Sequence, residues 1–217
     1  MFTWNHSNAF ATSNRTAKLR SRPKAILLVI TGCLLLFPLE AWSQGTGKPK
    51  KHDPHRWDKQ IAAFEKADQE TAPPKNGILF VGSSSIRYWK VEASFPGMPV
   101  INRGFGGSEI SDAIFFADRI IIKHRPKIIV FYAGDNDLAR GKSSQQVVAD
   151  YQTFVKTIQG SLPKTRIIFV AIKPSISRWK LIDTIRKTNK QIEQITSTDS
   201  RQFFLDVDTP MIGADGK

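Results

Sequence analysis

The sequence is poor in residues that cross-link a chain or anchor it in a membrane. Cys33 is the only cysteine among 217 residues, which excludes an intramolecular disulfide and a cysteine-based metal site. The longest apolar run, residues 25–37, has 13 residues, whereas a membrane-spanning helix needs about 20. We therefore predict a domain that is stabilised by its hydrophobic core and has no permanent membrane span.

The first 43 residues have the layout of a secretory signal peptide. Basic residues precede the apolar run, and Pro38 and the small residues Ala41 and Ser43 follow it. This order predicts cleavage after Ser43 and export to the periplasm or the extracellular space. The segment around Cys33 resembles a lipoprotein signal, but four more apolar residues follow the cysteine, so lipid anchoring is the weaker alternative. Without this leader the chain has no cysteine and therefore no thiol nucleophile.

Basic residues outnumber acidic residues, with 32 Lys and Arg against 19 Asp and Glu, and the net charge is +13. Residues 1–43 hold five of the basic residues and one of the acidic residues, so the rest of the chain carries +9. A basic chain can have a nucleic-acid partner, but these charges are scattered singly rather than grouped in blocks. We therefore predict a solvated basic surface and no nucleic-acid partner.

Residues 44–56 are rich in glycine, proline and lysine, which predicts a linker, and the domain is predicted to span residues 57–217. Five short apolar, β-branched runs within the domain predict strands. These runs are Ile78–Val81, Pro99–Ile101, Lys127–Tyr132, Arg166–Ile172 and Gln202–Val207. Runs that are apolar throughout, rather than alternating, are typical of a parallel sheet that is covered on both faces.

Helical patterns alternate with these strands. Apolar residues recur at helical spacing near 57–70, 110–121, 147–158 and 181–196, and Ser143 and Gln146 are spaced as a capping box before the third segment. Alternation of strand and helix predicts an α/β fold, a three-layer α/β/α flavodoxin-like sandwich with a five-stranded parallel sheet.

Three polar, glycine-rich segments follow the first three predicted strands. They read GSSSI from Gly82, NRGFGG from Asn102 and AGDND from Ala133. Ligands bind at the carboxyl ends of the strands in open α/β sheets, so we expect the three segments to converge in space. Each segment alone has an ordinary explanation, because serines after strands cap helices and glycines form turns.

In this order, the segments resemble the signature blocks of the SGNH hydrolases, the GDSL-type serine esterases and lipases. The first block of that family reads Gly-Asp-Ser; here Ser83 stands at the Asp position, and Trp89 stands at the usual aromatic position. The resemblance implies that Ser84 is the nucleophile and that Gly107 and Asn136 help to bind the oxyanion. It also implies hydrolysis of carboxylic esters, acetyl or short acyl groups on small molecules, carbohydrate or lipid, through an acyl-serine intermediate.

The general base of that family is a histidine in a carboxy-terminal Asp-x-x-His block, and this block has no counterpart in the sequence. The histidines are His6, His52, His55 and His124. The first lies in the leader, the next two lie in the predicted linker, and His124 is expected to cap a helix at the opposite edge of the sheet. We therefore expect a sequence that is truncated before the block, and a fragment that is inactive as given.

Two alternatives remain open at this stage. The chain is either an esterase fragment or a non-catalytic ligand-binding module that retains the oxyanion site without the base. A nucleotide-binding domain is a weaker alternative, because the glycine-rich segments match neither G-x-G-x-x-G nor a P-loop. No cofactor or metal ion is predicted, since no His, Asp and Glu cluster has the spacing of metal ligands.

Overall fold

Five parallel strands form the centre of the computed structural model, which describes residues 52–214 and 216. The strands are β1 (Ile78–Gly82), β2 (Val100–Gly104), β3 (Ile128–Tyr132), β4 (Arg166–Val170) and β5 (Gln202–Leu205). Their order in the sheet is β2-β1-β3-β4-β5, which is the flavodoxin-like order. The five predicted strands and the predicted fold class are therefore confirmed, with strand ends that differ by at most three residues.

Eight α-helices are described, and they alternate with the strands. They are α1 (Asp58–Glu70), α2 (Ser84–Arg87), α3 (Val91–Ser94), α4 (Ile110–Phe115), α5 (Ala117–Ile120), α6 (Asp135–Ala139), α7 (Ser144–Ser161) and α8 (Ile182–Thr196). The predicted capping box begins α7, where the Gln146 N–H donates to Ser143 Oγ at 3.2 Å and the Ser143 N–H donates to Gln146 Oε1 at 2.7 Å. The helix predicted near 110–121 is divided at the fully buried Phe116, whose ring packs against Phe105.

The two faces of the sheet are covered unequally by the described elements. On one face, α1, α4, α5, α7 and α8 pack on apolar residues of β1, β3 and β4 and form the larger core. On the other face, α2 and α3 pack on β1 and β2 and form a smaller core around Phe80 and Val130. Phe203 and Leu205 of β5 pair with β4 residues of this second face, and they remain 44% and 49% exposed.

The folded domain begins before Trp57, the first domain residue that the sequence predicts. Residues Pro54–Trp57 form a 3₁₀ turn, which the Asp53 side chain caps by accepting from the His55 N–H at 3.0 Å. His52 and Arg56 reach Asp112, with Nε2···Oδ1 and Nη2···Oδ2 distances of 2.8 and 3.3 Å. Polar contacts therefore bind residues 52–56 of the predicted linker to the domain. The spacing of apolar residues, from which the domain boundary was predicted, does not reveal contacts of this kind.

The predicted signal peptide and the remainder of the predicted linker lie outside the described residues. Within residues 52–214, no helix is long and apolar enough to cross a bilayer.

Candidate active site

The three glycine-rich segments lie side by side at the carboxyl edge of the sheet. In the register, Gly82 at the end of β1 is opposite Gly104 of β2 and Tyr132 of β3. The segments therefore leave the sheet at one level, at the point where the strand order changes direction. Open α/β sheets bind their ligands at this point.

Gly82 permits an unusually close approach between two of these segments. Its φ is +135°, and a Cβ atom on this residue would lie 1.9 Å from the carbonyl oxygen of Tyr132. No L-residue with a side chain fits that space without movement of the backbone. The next residue, Ser83, donates its backbone N–H to the same Tyr132 oxygen at 2.9 Å. The end of β1 is therefore held directly against the end of β3.

Ser84 is the first residue of α2 and follows the buried Ser83, which is the N-cap. Ser84 and Ser85 are half-buried, whereas Ser83 is fully buried and its Oγ has no hydrogen-bond partner among the described residues. A substrate in solution therefore has access to Ser84 or Ser85, but not to Ser83. Accessibility therefore excludes Ser83 and does not separate Ser84 from Ser85.

Gly107 lies in the loop after β2 with a φ of +73°, a conformation that favours glycine. Its carbonyl oxygen accepts a hydrogen bond from Arg140 Nη2 at 3.1 Å. Its N–H has no hydrogen-bond partner within the described part of the chain. The loop therefore leaves one backbone donor free beside the carboxyl ends of the strands.

The orientation of the Asn136 amide is determined by two partners of opposite polarity. Asn136 is buried near the start of α6; its Nδ2 donates to the Ser108 carbonyl at 3.0 Å, and its Oδ1 accepts from Arg178 Nη2 at 2.9 Å. A carbonyl only accepts and a guanidinium only donates, so a flipped amide would lose both hydrogen bonds. One N–H of Nδ2 remains available to a ligand.

Arg178 is a residue of this site that the sequence reasoning missed. It lies in the 3₁₀ segment Ile176–Leu181 after β4, and its Nη1 donates to Asp135 Oδ2 at 2.8 Å. Arg178 therefore binds two consecutive residues of the third segment, Asp135 and Asn136. No motif in the sequence marks this arginine, because the pairing depends on how the loops after β3 and β4 meet.

A buried acidic cluster, Glu109, Asp112 and Asp137, lies behind the Gly107 loop. Lys142 Nζ lies 2.8 Å from Asp137 Oδ1 and 3.1 Å from Glu109 Oε2, and Arg140 Nη1 lies 2.5 Å from Glu109 Oε1. Burial raises the pKa of Asp137 to about 6, although Lys142 opposes this shift. Side-chain cations occupy the cluster, and no group of His, Cys, Asp and Glu within residues 52–214 has an arrangement suited to a metal ion.

The three described histidines contact carboxylates. His52 lies against Asp112, His55 Nδ1 is 3.0 Å from Asp58 Oδ2, and His124 Nε2 is 3.5 Å from Asp68 Oδ2. His124 is the last residue of the 3₁₀ turn Ile122–His124, at the helix end where the sequence places it, and its ring contacts Asp68 of α1. None of the three rings forms a hydrogen bond with Ser84 in the described part of the chain.

His124 should make the domain sensitive to acid. Its burial, together with the nearby Arg103, lowers its pKa to about 4. A histidine whose pKa falls on folding stabilises the protein above its unfolded pKa of about 6.5 and loses that contribution as the pH falls from there towards 4. Between pH 7 and pH 4, protonation of this histidine should therefore lower the free energy of unfolding.

Urea unfolding at both pH values checks this expectation. His124→Gln should lose correspondingly less stability on acidification than the unmodified chain, whereas His55→Gln, at an exposed histidine, should behave like the unmodified chain. Equal acid sensitivity of His124→Gln and the unmodified chain would contradict it.

Several solved structures share this fold. A Streptococcus pneumoniae protein provisionally named a platelet activating factor has a TM-score of 0.66 and 17% identity, over 75% of this chain and 80% of that chain. A GDSL-like lipase from Bacteroides thetaiotaomicron has a TM-score of 0.59 and 19% identity, over 76% and 82%. An acetylxylan esterase from Geobacillus stearothermophilus, solved as a catalytic mutant, has a TM-score of 0.50 and 15% identity, over 62% and 78%.

No curated protein has a significantly similar sequence. The family model, however, covers more than half of the chain and includes all three glycine-rich segments apart from Gly82. It describes the GDSL-like lipase/acylhydrolase family and matches residues 83–217. The chain therefore belongs to the GDSL-like lipase/acylhydrolase family.

Proposed function

We propose that this protein is a serine esterase that cleaves carboxylic esters, with acetyl or short acyl groups on small molecules, carbohydrate or lipid. The observation that carries the proposal is the fixed Asn136 amide, which keeps one N–H free at the edge of the sheet where Ser84 begins α2. A preorganised donor of this kind stabilises the oxyanion of acyl transfer. Membership of the acylhydrolase family supports the same reaction class.

In the proposed mechanism, Ser84 Oγ attacks the ester carbonyl carbon while a base removes the hydroxyl proton. The carbonyl oxygen becomes an oxyanion, which accepts hydrogen bonds from the N–H groups of Ser84 and Gly107 and from Asn136 Nδ2. Collapse of this intermediate breaks the bond to the alcohol, which leaves with the proton from the base. Water then attacks the acyl-Ser84 ester by the same route and releases the carboxylic acid.

The base in this proposal is a histidine from outside the described residues. The three described imidazoles contact carboxylates, and a neutral hydroxyl without a base is a poor nucleophile. When no such histidine is supplied, we expect the 217-residue chain to be nearly inactive. We also propose that residues 1–43 direct export, which amino-terminal sequencing of the secreted protein would test.

Added imidazole tests the proposal on the 217-residue chain itself. Imidazole at increasing concentration should replace the missing base, so hydrolysis of p-nitrophenyl acetate should rise above the rate of imidazole alone. If the protein adds nothing to the rate of free imidazole at any concentration, the esterase proposal is overturned. Activity without imidazole that is lost in His52→Gln or His124→Gln would contradict the assignment of the base.

The alternative is a ligand-binding module that keeps the oxyanion donors and performs no chemistry. The positions of the three described histidines favour it. A module of this kind would bind a carboxylate, the product of ester hydrolysis, and would show no imidazole-dependent turnover.

A further inference from the structure

An open cavity of about 690 Å³ lies beside α2, at the outer edge of β2. We call it the α2 cavity. The residues that line it and carry the inference are Arg87, Tyr88, Trp89, Lys90 and Glu92. Neither the proposed nucleophile nor the oxyanion donors are among its lining residues.

The α2 cavity begins about one helical turn from Ser84. Residues three and four positions apart share a face of a helix, so Ser84, Arg87 and Tyr88 lie on one side of α2. Ile86, on the opposite side, is buried in the core. One helical turn rises about 5 Å, so a molecule of oligosaccharide size can occupy the cavity and reach Ser84 at once.

Arg87 lines the α2 cavity and also contacts the loop that contains Gly107. A Cβ atom on Gly106 would lie 2.9 Å from Arg87 Nη1, so the guanidinium covers the backbone immediately before Gly107. The guanidinium carbon also lies 5.5 Å from the centre of the Tyr88 ring. An arginine in this position contacts both the loop that holds the reacting carbonyl and the ring that lines the cavity.

Two aromatic side chains face solvent at this position. Tyr88 is 75% exposed and Trp89 is 38% exposed. The Trp89 ring is fixed, because its Nε1 donates to Ser94 Oγ at 2.8 Å and it packs on Phe80 with the ring centres 5.3 Å apart. Aromatic surfaces combined with a few polar groups are typical of ligand sites. A sugar ring, with an apolar C–H face and polar edges, matches this combination.

The charged residues that line the α2 cavity favour an acidic sugar over a neutral one. Arg87 and Lys90 line the cavity and form no ion pair within the described part of the chain, whereas Arg103 and Arg119, which do not line it, pair with carboxylates of α1. Glu92 is the one acidic residue among the described residues that line the cavity. The positive excess matches an anionic ligand, and an arginine suits a carboxylate because it can donate two parallel hydrogen bonds.

We propose that the α2 cavity binds an acidic oligosaccharide, a chain with uronate carboxylates, as the alcohol part of the ester substrate. The assignment as substrate rests on the proposed esterase function, whereas the binding does not. Tyr88 and Trp89 stack on the sugar rings, and Arg87 and Lys90 bind the carboxylates. The acyl group then points along α2 towards Ser84.

Calorimetric titration of the full chain tests the binding separately from any turnover. A de-esterified galacturonate oligosaccharide should bind, and a neutral xylose oligosaccharide of equal length should bind about 10-fold or more weakly, because it lacks the charge-assisted hydrogen bonds. Arg87→Gln and Tyr88→Ala should each weaken galacturonate binding to a similar extent. Lys187→Gln, an equal change of charge at an exposed position of α8, should leave the affinity unchanged.

Inorganic polyphosphate serves as the comparison for charge alone. Polyphosphate that binds as tightly as the galacturonate, with an affinity that Tyr88→Ala does not change, would overturn the proposal, as would absence of galacturonate binding. Thermal unfolding of each variant shows that it is folded. Binding without imidazole-dependent turnover would refute the esterase proposal alone, and turnover without binding would refute this proposal alone.

Discussion

Ser84→Ala is expected to lower the rate of imidazole-dependent ester hydrolysis by about 10³-fold or more. The substitution removes the proposed nucleophile, and without it imidazole has no hydroxyl to deprotonate at this site. The oxyanion donors remain, so a small rate above that of free imidazole can persist. The measurement is the release of p-nitrophenol at saturating imidazole, with the rate of imidazole alone subtracted.

Ser83→Ala and Ser85→Ala are the matched controls, because these serines flank Ser84 in the same turn. Ser83 Oγ is buried and has no partner in the described residues, so its removal should preserve activity within a few fold. Ser85 is half-buried, as Ser84 is, and its removal should also preserve activity. If Ser85→Ala is inactive and Ser84→Ala is active, the nucleophile lies one residue later.

Lys142→Met is expected to lower the free energy of unfolding by about 3 to 5 kcal/mol, since it leaves the buried Asp137 carboxylate without its cation. The Lys142 ammonium lies 2.8 Å from Asp137, 3.1 Å from Glu109 and 2.7 Å from Asp150. Burial disfavours its charge, but these carboxylates outweigh burial and raise its pKa. Methionine keeps most of the apolar stem, so the loss reports the charge rather than the packing.

Urea unfolding measures this loss, and Lys156→Met of α7 is the control. Lys156 is exposed and has no ion pair in the described part of the chain, so its replacement should change stability by no more than about 0.5 kcal/mol. The loss in Lys142→Met should be smaller at pH 5 than at pH 8. Without the lysine the pKa of Asp137 rises further above its present value of about 6, and acid neutralises the carboxylate. A loss equal to that of the control would show that the cluster does not depend on Lys142.

The fold was predictable because its strands are encoded locally. Residues 128–132 and 166–170 are short apolar runs between turn residues, and the structure has β3 and β4 at these positions. The start of α7 was predictable for the same reason, because a capping box joins residues three positions apart. Signals of this kind lie within one turn or one strand and need no tertiary information.

The features that the sequence did not predict depend on contacts between distant residues. Arg178 meets Asn136 across 42 positions, and Arg56 meets Asp112 across 56 positions. No periodic pattern predicts either pair, because each joins single side chains of separate secondary-structure elements. The interruption of the helix at Phe116 has the same origin, since that ring is buried against Phe105. For the site, the family resemblance supplied the residues, and the structure supplied their partners.

Gly82 has no functional group, yet its lack of a side chain shapes the edge of the sheet where the glycine-rich segments meet. Its hydrogen atom lets the end of β1 lie against the Tyr132 carbonyl, and this contact holds the segment that contains Ser84 beside the segment that contains Asn136. Any larger residue would force these two segments apart and, in the proposed mechanism, would move the Ser84 hydroxyl away from the Asn136 amide. Sequence variation at this position should therefore be severely restricted, and a random mutant library should return few folded variants with a side chain here.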